Sequence, residues 1–253
     1  MLSRLFAVGL GMLVPALAAV CAPGTAAAEP AQPPQPAQAE PCRLALVLAL
    51  DVSASVDAGE YILLRDGTAA ALLSPDVRAA VKALGGVYIS VFEWSGRQKQ
   101  TLIQPWRVLD GDSAIRAVAE RIATHPRSES EYPTALGSAL GYAQRQLAAG
   151  PSPCNRQVID VSGDGANNHG FSPESAYRAF DFSGVTVNGL VVAGSAGDAV
   201  DYYRRRVIRG PAAFVEIARG YEQFEEAMRR KLLREIGVMS LSDADPARRS
   251  PHP

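Results

Sequence analysis

The sequence predicts an α/β domain in which helices cover both faces of a doubly wound, mostly parallel β-sheet. Two observations predict this class. Nearly continuous apolar runs, such as residues 43–51 (RLALVLALD), are typical of parallel strands that are buried on both faces. These runs alternate along the chain with segments whose apolar residues recur at helical spacing, and this alternation is typical of layered α/β folds.

The predicted strands and helices follow one another in order. The strands are residues 43–51, 86–93, 99–106, 156–162, 185–192 and 212–217. The helices lie between Asp57 and Ser74 and at residues 113–124, 135–148, 173–182, 198–206 and 221–236. Asp57 and Ser172 are candidate N-caps of the helices that follow them. Pro105 favours an edge position for its strand, because proline cannot donate a hydrogen bond to a neighbouring strand.

The composition fits one globular domain and argues against a nucleic-acid partner. The chain has 253 residues, of which 47% are hydrophobic and 20% are charged, which suits a single core of ordinary size. The formal net charge is -1 and no large block of one sign occurs. A nucleic-acid binder needs a basic face, so we expect no nucleic-acid partner.

The N-terminal segment has the pattern of a secretory signal peptide. A positive start, an apolar run from Leu5 to Val20 and small residues before Glu29 predict a signal peptide over residues 1–28, cleaved near Ala28. The run is too short for a comfortable membrane span, which needs about 20 apolar residues. We therefore expect an exported protein, periplasmic or secreted, with no transmembrane segment in the mature chain. Lipid attachment at Cys21 is the alternative.

Two other segments lack the apolar residues that a core requires. Residues 29–41 are rich in Pro, Ala and Gln and predict a linker. Residues 239–253 predict a disordered tail. The folded domain is thus expected over residues 42–238. It contains Cys42 and Cys154, for which an oxidising compartment favours a disulfide, while two unpaired buried thiols are the alternative.

Three short pieces of sequence carry oxygen-bearing side chains to the expected ends of strands or starts of helices. Asp51, Ser53 and Ser55 alternate as the first strand ends, and such oxygen donors suit Mg²⁺, Mn²⁺ or Ca²⁺. Asp164 lies between two glycines after a later strand, where the backbone can turn sharply. Thr134 stands at the start of a helix. Helix capping is the alternative role for the Asp51 to Ser55 loop and for Thr134.

In this order the three pieces resemble the metal-ion-dependent adhesion site (MIDAS) of von Willebrand factor A-type domains. In that family a DxSxS loop combines with a later threonine and a later aspartate. The resemblance covers about Arg43 to Ile236. It implies a metal site whose ligands are Asp51, Ser53, Ser55, Thr134 and Asp164.

Within this class the chain is most similar to a bacterial exported group without assigned function. The similarity lies in Glu93-Trp94-Ser95-Gly96, the strand at residues 156–160 and the loop at residues 162–168. The resemblance implies a three-layer domain with six strands, one of them a short antiparallel edge strand that we assign to residues 99–106. It also places the strands led by Cys42 and Cys154 side by side, which strengthens the disulfide prediction.

The chain departs from many relatives at Gly163, where they have a threonine before the aspartate. We therefore expect a looser backbone there, although the carboxylate of Asp164 is kept. Asn167, Asn168 and His169 follow and either form a solvated polar turn or line the rim of the site. Glu93, near the site, has no ligand role implied by the resemblance, and we expect at most an indirect one.

The resemblance implies metal-dependent protein binding. In the family, one coordination position of the metal is taken by a carboxylate of the partner, so we expect Mg²⁺, or else Mn²⁺ or Ca²⁺, and an unknown protein partner that presents an Asp or Glu. Two alternatives remain open. One is a metal-assisted hydrolase, against which the sequence offers no catalytic motif. The other is a structural domain that a metal merely stabilises.

Overall fold

A computed structural model describes residues 42–194 and 198–242, with side chains of the final helix described as far as Gly237. The predicted signal peptide, the linker and the tail beyond residue 242 lie outside the described residues. The strands are β1 (Cys42–Asp51), β2 (Val87–Trp94), β3 (Gln100–Val108), β4 (Cys154–Gly163), β5 (Val185–Val192) and β6 (Val215–Ala218). The helices are α1 (Ala58–Leu73), α2 (Pro75–Leu84), α3 (Asp112–Ala123), α4 (Leu136–Ala148), α5 (Pro173–Ala179), α6 (Asp198–Tyr202) and α7 (Phe224–Ser242).

Within the described residues the strands form one six-stranded sheet in the order β3-β2-β1-β4-β5-β6. All neighbours are parallel except β2 and β3, so the predicted antiparallel edge strand is confirmed. The chain moves from β1 to one side first and later returns to place β4 on the other side of β1. The strand order therefore reverses between β1 and β4, which is where doubly wound sheets place their binding sites.

Two hydrophobic cores cover the two faces of the sheet. Along β1 the side chains alternate between them: Leu46 and Leu48 face the core under α1, α3 and α7, whereas Val47 and Ala49 face the core under α4. All four side chains are buried, as expected for a central strand. The predicted three-layer α/β architecture is confirmed.

Several element boundaries differ from the prediction. The sequence pattern places the end of a helix at Ser74-Pro75 and predicts no helix α2, whereas this proline occupies the first turn of a second helix. Helix α6 ends early and continues as a π-helical turn, Tyr203–Val207. Helix α7 begins at Phe224, after a short 3₁₀ turn, and continues to Ser242, past the predicted end at residue 236.

A disulfide joins Cys42 and Cys154. The two residues are register partners on the adjacent parallel strands β1 and β4, with Cα atoms 4.6 Å apart. The predicted pairing is confirmed, and the alternative of two free thiols is wrong. In the part of the chain that the structure describes, no helix combines the length and apolarity of a membrane span.

Candidate metal site

The candidate site lies at the carboxyl ends of β1 and β4, on the two sides of the strand-order reversal. Asp51 is the last residue of β1 and is fully buried. Asp164 directly follows β4 and is half-buried. Parallel strands bring their carboxyl ends to one edge, so these two carboxylates are placed at the same edge although the chain separates them widely.

The loop after β1 turns over the end of its strand and is held by its own side chains. The backbone N–H of Ser53 donates to Asp51 Oδ1 at 2.8 Å. The hydroxyls of Ser53 and Ser55 lie 3.2 Å apart. Because Ser53 is fully buried and Ser55 is exposed, the loop leads from the protein interior to solvent.

Thr134 and Asp164 close this arrangement from two other segments. Thr134 Oγ1 lies 3.3 Å from the hydroxyl of Ser53. The hydroxyl of Ser55 donates to Asp164 Oδ1 at 2.8 Å. The structure therefore brings together all five residues that the sequence singled out, with Asp51, Ser53 and Thr134 at the buried end and Ser55 and Asp164 at the open end.

Neither helix-capping alternative describes these residues. Helix α1 is capped by Asp57 and Glu60, whose side chains bond to each other's backbone N–H groups, so the Asp51 to Ser55 loop is free of that role. The N-cap of α4 is Ala135, whose side chain makes no capping hydrogen bond. The Thr134 hydroxyl faces Ser53 instead.

The surroundings of Asp51 disfavour its ionised form. Its Oδ2 atom is buried and has no hydrogen-bond partner among the described residues. Burial raises the pKa of Asp51 to about 8, and the nearby negative charge of Asp164 acts in the same direction. A buried carboxylate without a partner is costly, and a divalent ion would remove that cost. The residues present therefore fit a metal ion.

The donor set differs from the commonest metal clusters. In the described part of the chain, no group of three or more His, Cys, Asp or Glu side chains is arranged to hold a metal. The candidate set instead has two carboxylates and three hydroxyls. Oxygen-only donors of this kind suit hard ions such as Mg²⁺.

Tyr203 is a buried neighbour of the site that the sequence analysis missed. A Cβ atom at Gly163 would lie 2.6 Å from the Tyr203 hydroxyl and 2.8 Å from Asp51 Oδ2. A Cβ atom at Gly189 would lie 2.6 Å from the Tyr203 ring. Two glycines therefore make room for this tyrosine, which explains why position 163 holds no larger residue. Burial and the charges of Asp51 and Asp164 raise the pKa of Tyr203 well above its usual value.

Arg127 is a second missed residue, and it holds the loop after β1. Its guanidinium donates to the carbonyl oxygens of Val52, Ser53 and Val56 at 3.1, 3.1 and 2.7 Å. The turn that carries Arg127 is held in place by Glu93, whose carboxylate accepts from the backbone N–H of Ser128 at 2.8 Å. Glu93 thus acts on the site indirectly, through Arg127.

The three residues Asn167, Asn168 and His169, which follow Asp164, differ in their contacts. The side-chain oxygens of Asn168 and Asn167 accept from the backbone N–H groups of Thr134 and Gly137, at 2.9 and 3.2 Å. These two asparagines therefore fix the start of α4 and are not merely a solvated turn. His169 lines a groove beside the site.

Solved structures share this fold at low sequence identity. Proximal thread matrix protein 1 from the mussel byssus, with a zinc-occupied MIDAS motif, matches with a TM-score of 0.56 and 16% identity over 78% of this chain and 48% of that one. A von Willebrand factor type A structure from Catenulispora acidiphila has a TM-score of 0.54 and 17% identity, covering 78% of this chain and 43% of that one. The pilus adhesin SpaC from Lactobacillus rhamnosus GG has a TM-score of 0.56 and 13% identity, covering 79% of this chain and 31% of that one. This chain spans less than half the length of each.

These matches assign the domain a von Willebrand factor A-type fold, as the sequence predicted. A family model matches residues 41–240, and the chain belongs to that family, described as "Protein of unknown function (DUF1194)". Comparison with curated protein sequences finds no match.

Proposed function

We propose that this protein is a divalent-metal-dependent, adhesion-type protein-binding domain that acts outside the cytoplasm. One observation carries the proposal: five oxygen-bearing side chains from three distant segments converge at the strand-order reversal and leave Asp51 Oδ2 buried without a partner among the described residues. The ligands would be the set Asp51, Ser53, Ser55, Thr134 and Asp164. When bound, a divalent ion supplies positive charge and a coordination position that a carboxylate can take.

The uneven burial of the set supports a role in binding a partner. Asp51 and Thr134 lie in the interior, and Ser55 and Asp164 lie at the surface. Such a site would hold an ion through its buried side chains and leave it accessible to solvent on the side of Ser55 and Asp164. The side chain best suited to reach it from another protein is an Asp or Glu, because hard cations prefer carboxylate oxygens.

Two further observations support the choice of function and compartment. The names of the similar structures include a matrix protein and a pilus adhesin, which favours binding over catalysis. The disulfide between Cys42 and Cys154 is of a kind that persists in oxidising compartments, in agreement with the predicted signal peptide. For the ion we favour Mg²⁺, with Mn²⁺ and Ca²⁺ as the other hard ions that an oxygen-only set accepts.

The test is calorimetric titration of the mature chain with Mg²⁺, Mn²⁺ and Ca²⁺, beside the double variant Asp51→Ala/Asp164→Ala. We expect saturable binding by the native protein and none by the variant. A library of random peptides on phage, selected on the native protein with and without the ion, then tests for the partner's carboxylate. Enrichment of Asp or Glu only with the ion supports the proposal. Equal metal binding by the double variant would refute the site.

A purely structural role for the metal predicts a different result. The ion would then raise the melting temperature of the native chain but would enrich no acidic peptide. The same two experiments, with a melting curve added, therefore separate adhesion from simple stabilisation.

A further inference from the structure

We propose that a groove beside the candidate metal site receives a second acidic side chain of the same partner polypeptide, with Arg97 as the residue that binds it. This inference rests on the proposed function. The groove, called the rim groove below, has a volume of about 260 Å³. It is lined by Arg97, Gln98, Lys99, Tyr132 and His169.

The rim groove is fixed to the candidate metal ligands through the backbone. The carbonyl of Tyr132 accepts from the N–H of Ala54, in the loop that carries Ser53 and Ser55, at 2.9 Å. The N–H of His169 donates to the carbonyl of Thr134 at 3.1 Å. The groove walls are therefore held at a set position beside the site, and a polypeptide that reaches the metal passes next to them.

Arg97 supplies a positive charge that the protein leaves uncompensated. Its side chain is exposed, and its stem packs on Gly170, where a Cβ atom would lie 2.7 Å from Arg97 Cγ. Among the described residues it has no ion-pair or hydrogen-bond partner. Lys99, by contrast, is paired with Glu129 at 2.8 Å and lies 4.3 Å from the centre of the Tyr132 ring. The free charge in the groove is thus that of Arg97.

Acidic side chains border the groove on one side. Glu129 and Glu131 lie in the turn that precedes Tyr132, and Glu129 is paired with Lys99 of the groove. An acidic partner segment would be repelled by Glu131 and attracted towards Arg97, whose planar guanidinium can bind a carboxylate through two hydrogen bonds. Tyr132, 37% exposed, adds an apolar surface beside that charge. Arginine and tyrosine are among the side chains most typical of strong contacts in protein interfaces.

The inferred ligand is therefore a polypeptide segment with two acidic residues, one for the metal and one for Arg97. The test repeats the phage selection in Mg²⁺ on the native protein, on Arg97→Glu and on Arg107→Glu. Arg107 is an exposed arginine on the same hairpin, paired with Ile89 at the other end of the sheet, and serves as the matched control.

With the native protein and with Arg107→Glu we expect a metal-dependent acidic position and a second acidic position at a fixed distance from it. With Arg97→Glu we expect the selected peptides to keep the metal-dependent acidic position and to carry Lys or Arg at the second position. A synthetic peptide from the native selection should bind Arg97→Glu about tenfold more weakly, the size expected for reversing one surface charge. Calorimetric metal binding should be equal in all three proteins.

Two results would overturn the inference. If Arg97→Glu selects the same two acidic positions as the native protein, the rim groove does not bind the partner, while the proposed function stands. If the native protein selects no acidic residue in Mg²⁺, the proposed function fails, and this inference fails with it.

Discussion

Asp51→Asn is expected to stabilise the metal-free domain at neutral pH and to remove its response to metal. Asp51 is fully buried, and Oδ2 has no hydrogen-bond partner among the described residues. Its pKa in the folded chain is about 8, against a usual value of 3.8. An asparagine fits the same space without charge, so the variant avoids a buried charge that the native protein carries whenever Asp51 is ionised.

The direction and the size of the expected change in stability follow from proton linkage. A carboxyl group whose pKa is raised on folding contributes stability while it is protonated, and that stability is lost as the pH rises from the unfolded pKa through the folded pKa. For Asp51 this window runs from about pH 4 to pH 8. At about 1.4 kcal/mol per pKa unit, the loss at pH 7 approaches roughly 4 kcal/mol. Asparagine leaves part of its amide unsatisfied, so we expect a net gain of about 1–3 kcal/mol.

The assay is urea unfolding of the metal-free native protein and of Asp51→Asn at several pH values between 5 and 8. The native protein should lose stability relative to the variant as the pH rises, and added Mg²⁺ should restore only the native protein. Asp164→Asn is the matched control, because Asp164 is half-buried and its loss should abolish the metal response with a smaller gain in stability. A metal-free Asp51→Asn that is less stable than the native protein at pH 7.5 would refute the reasoning.

Three further outcomes are expected. Arg127→Met should lower the free energy of unfolding, measured in urea, by about 2–4 kcal/mol, because three loop carbonyls lose a charged donor. It should also weaken the metal affinity measured by calorimetry, and an unchanged affinity would contradict the positioning role of Arg127. Gly163→Ala should lower the free energy of unfolding by about 1–3 kcal/mol, because the added Cβ would lie 2.6 Å from the Tyr203 hydroxyl. In the double variant, Tyr203→Phe should recover part of this loss, and additive losses would contradict the reasoning. Cys42→Ser/Cys154→Ser should lower stability by about 3–5 kcal/mol, given a sequence separation of 112 residues between the cysteines, with reduction of the native protein as the comparison.

Much of the fold could be predicted because it depends on local patterns. The apolar run of β1 and the alternating lengths of strands and helices indicate a buried parallel sheet before any contact is known. Helix α2 escapes the prediction because a proline can end one helix or begin another. The helical spacing of Val77, Val81 and Leu84 is the signal that distinguishes the two cases, and it is present in the sequence.

The supporting residues of the site could not be predicted in the same way. Arg127 reaches carbonyls that lie more than 70 positions earlier in the chain, and a backbone carbonyl leaves no mark in the sequence. Tyr203 is placed by two glycines on neighbouring strands, and a single glycine in a strand is compatible with many kinds of neighbour. The five candidate ligands could be predicted because their residue types and order form a motif, whereas these contacts depend on tertiary structure.

The uneven burial of the candidate site places the residues proposed to control metal affinity apart from those proposed to control the choice of partner. At the buried end, Asp51 lies beside Tyr203, where solvent cannot stabilise its charge, so this end would set the affinity for the proposed cation. The open end, with Ser55 and Asp164 beside the rim groove, faces solvent and any partner. Changes at the buried end should therefore alter metal affinity and stability together. Changes at Arg97 should alter the choice of partner while the metal affinity stays the same.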